Sequence, residues 1–165
     1  MFLETDRIYL RRLSKDDAFF IYTFLNSPGW LEYIGDRGVS SIEKAVAYIE
    51  EKYLPSYKDG LGNFCVVQKN DDLPVGTCGL YLRDNLDAPD IGFAFLPEFI
   101  GKGYAYEASS ALKDYALNDL KLEKLYGFTL PNNVASINLL KKLGLKESGT
   151  MQFEDDPEEL LLFSI

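Results

Sequence analysis

Histidine is absent from this 165-residue chain, and that absence excludes more than any other feature of its composition. Without imidazole there is no Ser-His-Asp or Cys-His machinery, no histidine-ligated zinc and no histidine general base. Cysteine is nearly as scarce. Cys65 and Cys78 are too few for a multi-bridge scaffold or a four-thiolate metal site, and both lie in apolar, strand-like runs where buried free thiols are expected. No run approaches the roughly 20 consecutive apolar residues of a membrane span. Met1 to Leu10 carries Glu4, Asp6 and Arg7 and no apolar block, so it does not read as a signal peptide. A cytoplasmic protein that engages no membrane is the expectation. Basic residues are outnumbered, 17 Lys and Arg against 26 Asp and Glu, for a net charge of −9. Such a chain repels phosphate backbones, which disfavours nucleic acid, and inclines towards cationic or amine-bearing partners.

What is present is ordinary globular composition over a length that suits one domain, 1–165. Arg7 to Arg12 alternates charged and apolar residues and predicts a strand. Ser14 with Asp17 resembles a capping box and opens a helix carrying Phe20, Ile21, Phe24 and Leu25, with Pro28-Gly29 expected to end it. Ser40 with Glu43 predicts a second helix start, and that helix stops near Pro55. Strands follow at Phe64–Val67 and Val75–Leu82, separated by an Asn-Asp-Asp turn. Asp90 to Leu96 is nearly continuous apolar sequence, as in a strand buried on both faces in mid-sheet. A helix over about 104–119, a strand at 125–130, a helix at 134–143 closed by Gly144 and two last strands complete an α+β pattern with no internal repeat or linker.

The segment that carries chemistry runs from Asp90 to Glu107. A strand meets a Pro-containing turn, then Gly101-Lys102-Gly103, then an amphipathic helix. Glycines allow the sharp bend and leave amide N–H groups uncovered, while the helix start adds orphan donors and the positive end of its dipole. Together these suit a phosphate or diphosphate. A Walker loop needs Ser or Thr after Gly-Lys, but Gly103 stands there; a Rossmann fingerprint is broken at Tyr106. A packing turn without a ligand remains the alternative. A second block, Pro131 to Leu145, has Asn132 or Asn133 as N-cap, Ile137, Leu140 and Leu143 as a core face, and Ser136 and Asn138 as polar residues that helix-start chemistry alone explains.

In order and spacing, these blocks resemble the GCN5-related N-acetyltransferase (GNAT) superfamily, and most of all its RimJ/RimL-type branch of ribosomal-protein N-terminal acetyltransferases. Ile100-Gly101-Lys102-Gly103-Tyr104-Ala105 is similar to the family's Gln/Arg-x-x-Gly-x-Gly/Ala loop, with Ile100 in place of Gln or Arg. Asn133, Ser136, Leu139, Leu140, Lys142, Leu143 and Gly144 match the branch's Asn-x-x-Ser block, and Glu4–Arg11 and Gly76–Leu80 fit it too.

The resemblance implies a GNAT-like α+β fold, a mixed central sheet of about six to seven strands flanked by about four helices and splayed at the acetyl-CoA site. It implies acetyl transfer from acetyl-CoA, the cosubstrate, to a primary amine on a small molecule or a protein N-terminus, with no metal and with homodimers among family members. Phe93, Ala94 and Phe95 would bond pantetheine through main chain. Gly101, Lys102, Gly103, Tyr104, Ala105 and Tyr106 would hold the diphosphate, and Asn133 the pantetheine arm, with Asn138 also on the cofactor side. Two departures concern the chemistry. The Tyr that many members carry seven residues after the Asn is Leu140 here, and the glutamate base that some carry five residues before it is Phe128. Ser136 is the substitute candidate beside the thiol. Glu98 and Asp90 read as solvated turn residues, and no general base is assigned. Trp30 and Tyr33, with Ile34, Glu32 and Asp36 nearby, are the candidates for acceptor binding. A CoA-binding or regulatory module with weak turnover is the alternative to an active enzyme.

Overall fold

Along Ile8–Arg12 (β2), Ile8 and Leu10 are buried while Tyr9 and Arg11 turn the other way, the period of two expected of a strand. The computed structural model, which describes residues 2–165, places this strand second in one eight-stranded sheet. Its other strands are Leu3–Glu4 (β1), Gly62–Gln68 (β3), Leu73–Tyr81 (β4), Asp90–Phe95 (β5), Tyr126–Thr129 (β6), Lys146–Met151 (β7) and Leu160–Ser164 (β8). The spatial order is β1-β2-β3-β4-β5-β6-β8-β7, and every neighbouring pair is antiparallel except β5 and β6. Five α-helices accompany it among the described residues: Ala18–Leu25 (α1), Pro28–Tyr33 (α2), Ile42–Tyr48 (α3), Tyr104–Asp114 (α4) and Val134–Lys142 (α5). The sheet is mixed, as expected, with one strand and one helix more than the about six to seven strands and about four helices that the family resemblance implies. The additions, β1 and α2, are too short to leave a periodic signal.

Two local expectations are corrected. Pro28-Gly29 begins α2 instead of ending α1, because proline at the first helical position loses no hydrogen bond. What stops α1 is Asn26, whose Nδ2 donates to Tyr22 O and Val39 O at 2.7 Å. The cap of α3 is Ser41, not Ser40: the Ser41 hydroxyl accepts from Lys44 N at 3.1 Å. The Ser14–Asp17 capping box is present, though it opens a short 3-10 turn that leads into α1.

The sheet separates two apolar layers. Phe64, Val66, Leu80, Ile91 and Phe163 face α4 and α5 and pack on Ala108, Leu112 and Leu140. Cys65, Val67 and Leu96 face α1 and α3 and pack on Ile21, Phe24, Ala45 and Ile49. Both cysteines are buried free thiols, pushed up to about 12 by burial and so held as unreactive SH groups. No helix among the described residues is long and apolar enough to cross a membrane.

Leu112 fixes α4 to the sheet and is fully buried. Leu112→Ala is expected to lower stability by about 2–5 kcal/mol in urea denaturation, and a loss below about 1 kcal/mol would contradict this packing.

Candidate active site

β5 and β6 run parallel but pair at a single point, Asp90 with Tyr126, where Tyr126 N donates to Pro89 O at 2.9 Å. Beyond that vertex they diverge. On its other side β5 is fully paired with β4, from Asp90–Tyr81 to Phe95–Gly76, and Leu96 N donates to Val75 O. Antiparallel alternation then fixes which main-chain groups are free. Ala94 is bonded to β4, while Phe93 and Phe95 turn their N–H and C=O into the cleft. By this parity Phe93 and Phe95 are the two of the three candidate residues whose main chain faces the cleft. The expectation of burial on both faces is corrected as well, since Gly92, Phe93 and Ala94 are only half-buried where β6 has left.

The cleft leads to the glycine loop. After the 3-10 turn Pro97–Phe99, Gly101 and Gly103 have φ of 80° and 85°, and Gly103 serves as N-cap of α4 with no side chain capping the helix. The first bonded amide in α4 is Glu107 N, to Gly103 O, so the N–H groups of Tyr104, Ala105 and Tyr106 lack intrahelical partners. Lys102 is exposed with Nζ 5.3 Å from the Phe99 ring, and Lys142 of α5 lies 4.1 Å from the Tyr106 ring. Two hollows of about 250 and 410 Å³ open at the opposite end of the sheet, beside Tyr81 and beside Pro89, and neither includes the loop.

On β6 and α5 the remaining candidates separate. Asn133 Oδ1 caps α5 by accepting from Ser136 N at 3.2 Å. Ser136 is half-buried and its hydroxyl has no partner among the described residues, one turn before the fully buried Leu140. Leu140 packs beneath Gly127, deep in the α4–α5 layer. Asn138 is exposed on the opposite side of α5, beside Lys141 and Lys142.

The acceptor candidates lie on the other face. Trp30 packs edge-on against Phe24 at 4.9 Å and shares a cluster with Ala94, Leu96 and Phe99, while Tyr33 does not join that cluster. Trp30 Nε1 and the Tyr53 hydroxyl are buried without partners among the described residues.

At the vertex, sequence reasoning missed the main feature. Asp90 is no solvated turn residue: it is 1% exposed and accepts from Arg83 Nε at 2.7 Å. Burial raises its carboxyl above the ordinary value, and this outweighs the opposing pull of Arg83. The Arg83 guanidinium is framed by the rings of Tyr81, Phe128 and Phe153 at 5.1, 4.9 and 5.4 Å. Tyr81 crosses the Gly79–Gly92 pair, where a Cβ on Gly92 would lie 2.9 Å from its ring, and its hydroxyl donates to Asn63 Oδ1 at 2.6 Å. The usable sequence signal was an acidic residue opening an apolar run, which demands a buried partner. Glu98 is exposed, as expected.

Residues 7–146 match the model of the acetyltransferase (GNAT) domain family. The chain belongs to the GNAT acetyltransferase family. It is similar to the uncharacterized N-acetyltransferase YnaD of Bacillus subtilis (strain 168), 26% identical over 149 residues that cover 90% of this chain and 85% of that protein. In fold it is similar to a GNAT-family acetyltransferase of Bacillus anthracis, with TM-score 0.83, 20% identity and coverage of 100% and 98%. It is also similar in fold to the ribosomal-protein-S5-alanine acetyltransferase of Vibrio fischeri, with TM-score 0.75, 19% identity and coverage of 99% and 94%. The protein is thus an N-acetyltransferase, built on the mixed GNAT sheet.

In this acetyltransferase the vertex ion pair carries a pH signature. Arg83→Gln leaves Asp90 buried and unpaired, and is expected to cost about 3–5 kcal/mol at pH 7. Because the unpaired carboxyl favours its protonated form, the deficit should shrink as pH falls towards the ordinary Asp range near about 4. Adding Asp90→Asn should restore most of the loss at pH 7. Denaturation curves that show a pH-independent deficit, or no rescue, would contradict the pairing.

Proposed function

We propose that the protein transfers an acetyl group from acetyl-CoA to a primary amine, and that the preferred acceptor is the α-amine of a peptide or protein, as in the RimJ/RimL-type branch. The observation that carries this reading is the divergence of β5 and β6, which leaves the Phe93 and Phe95 main chain open along a cleft ending at the unpaired amides of Tyr104 to Tyr106. A pantetheine arm offers amides that such an edge can bond, and a diphosphate suits the helix start. The residues present therefore fit the carrier. Asn133, at the head of α5, is oriented by its own capping bond, which leaves Nδ2 for the arm.

The transfer is direct. The amine nitrogen attacks the thioester carbonyl, the new C–N bond replaces the C–S bond, the proton shed by the nitrogen passes to water, and the sulfur leaves as thiol with a proton from a hydroxyl that water reprotonates. The Phe93 and Phe95 N–H groups lie roughly 6–7 Å apart along one strand edge, so one of them serves the developing oxyanion and the other the pantetheine arm. Ser136 is the proton donor to sulfur, since Leu140 has no ionisable group and is sunk in the core. No free base stands at the vertex, where Phe128 is stacked on Arg83 and Asp90 is occupied by the same guanidinium.

A low-pKa acceptor suits such a site. An α-amine has a pKa of about 7.7–8.0 and a lysine amine about 10.4, so at neutral pH roughly a tenth of the former but under a thousandth of the latter is uncharged. The exposed run Glu154–Glu159, leaving Phe153 beside Arg83, gives the acceptor side a negative field that favours cationic peptides. Two free thiols, Cys65 and Cys78, suit a reducing compartment, and we place the reaction in the cytoplasm.

The loss of both family acid–base positions, at Leu140 and Phe128, favours the second reading, a CoA-binding module with little turnover. Thiol release from acetyl-CoA separates the two. Peptides with a free N-terminus and blocked lysines should release thiol at least about tenfold faster than N-blocked peptides with free lysines, in line with the neutral-amine fractions. The reverse order overturns the α-amine assignment. CoA binding without thiol release over either set would establish the module instead.

A further inference from the structure

Glu107 occupies the first turn of α4, where its charge would oppose any anion held by the glycine loop. That charge is already taken up. Oε1 accepts from Thr5 Oγ1 at 2.5 Å and from Arg7 N at 3.0 Å, and Oε2 accepts from Arg7 Nε at 2.7 Å. Burial works to raise this carboxyl, but these donors and the Arg7 charge prevail and hold it below the ordinary carboxylate value. Arg7 comes from the turn between β1 and β2, about a hundred residues away in sequence, so no spacing rule announces the contact.

The same guanidinium reaches the loop itself. Arg7 Nη1 donates to Lys102 O at 2.9 Å, and Cζ stacks 4.5 Å from the Tyr104 ring, whose hydroxyl is tied to Gln68 Oε1 at 2.7 Å. Nη2 makes no hydrogen bond among the described residues. It lies 3.1 Å from the point that a Cβ on Gly103 would occupy, so it sits over the residue whose bend exposes the α4 amides. Gly103 is thus constrained twice, by its left-handed φ and by the cation above it. A lysine could not reproduce this, because one ammonium cannot join a carboxylate, a carbonyl and an anion in a planar fork.

We propose that Arg7 is the cationic wall of the carrier cradle, bracing the Gly101–Tyr104 turn through Lys102 O and Glu107 and directing Nη2 to the diphosphate of coenzyme A. The inference rests on the acetyl-CoA reading above and assigns that site a ligand-facing residue outside the loop. Arg7 is half-exposed, with 48% of its side chain open to solvent, so the remaining donors are accessible to a ligand.

Calorimetry with coenzyme A, and with pantetheine as a probe that lacks the diphosphate, tests it. Arg7→Gln should weaken coenzyme A binding about tenfold or more, the worth of one charge-assisted hydrogen bond, while leaving pantetheine within twofold. Arg7→Lys should fall between parent and Arg7→Gln, and the coenzyme A deficit should narrow at high salt. If Arg7→Gln does not fold, Arg7→Lys carries the test, with a loss of at least about threefold expected for coenzyme A alone. Coenzyme A affinity within twofold of the parent, or an equal loss for pantetheine, overturns the role of Arg7 while the cleft reading stands. A parent protein that gives no heat with coenzyme A removes both.

Discussion

The site depends on one constraint: two parallel strands that meet once and then part. β5 is held by its full register with β4, and β6 by four antiparallel pairs with β8. Gly127 draws β6 down onto Leu140 and Leu145, towards α5. Neither strand can follow the other without breaking pairs on its far side. The cleft is therefore the seam between a β1–β5 half and a β6–β8–β7 half, and its free main-chain edges follow from strand parity. Buried main chain without a partner is costly, so such an edge, kept open along a cleft, suits a ligand with amides of its own.

Two arginines secure the ends of that seam. At the vertex Arg83 neutralises the buried Asp90, and three aromatic rings hold the guanidinium in place. At the glycine loop Arg7 neutralises Glu107 and ties down Lys102 O. The consequence is electrostatic as well as mechanical. In a chain of net charge −9, Lys102, Lys142 and Arg7 gather near the uncapped amides of α4, whereas Glu154–Glu159 form an exposed acidic run next to Phe153.

Local chemistry made much of this readable. Helix starts at Ser14 and Asn133, the stop at Gly144, the alternation of β2 and the Gly101/Gly103 bend are decided within a few residues, and the structure has each of them. Ser40 has Glu43 at capping-box spacing, yet it is the neighbouring Ser41 whose hydroxyl takes the Lys44 N–H, a one-residue shift that local pattern does not resolve. Pro28 stops or starts a helix according to where the preceding one has already ended, which here is set by Asn26 reaching Val39 across the loop. Asp90 looked like a turn residue because its partner, Arg83, lies beyond an irregular loop. The parity that frees Phe93 and Phe95 but not Ala94 is a property of register, and one strand alone does not carry register. The Arg7–Glu107 bond joins residues a hundred positions apart in sequence and leaves no trace in local pattern.

Amide chemical shifts during a titration with coenzyme A report on the cleft directly. Phe93, Phe95, Gly103, Tyr104, Ala105 and Tyr106 should move together and saturate with one affinity, while Ala94, bonded to β4, moves least along the strand. Shifts confined to the hollows beside Tyr81 and Pro89, with those six amides unmoved, would contradict it.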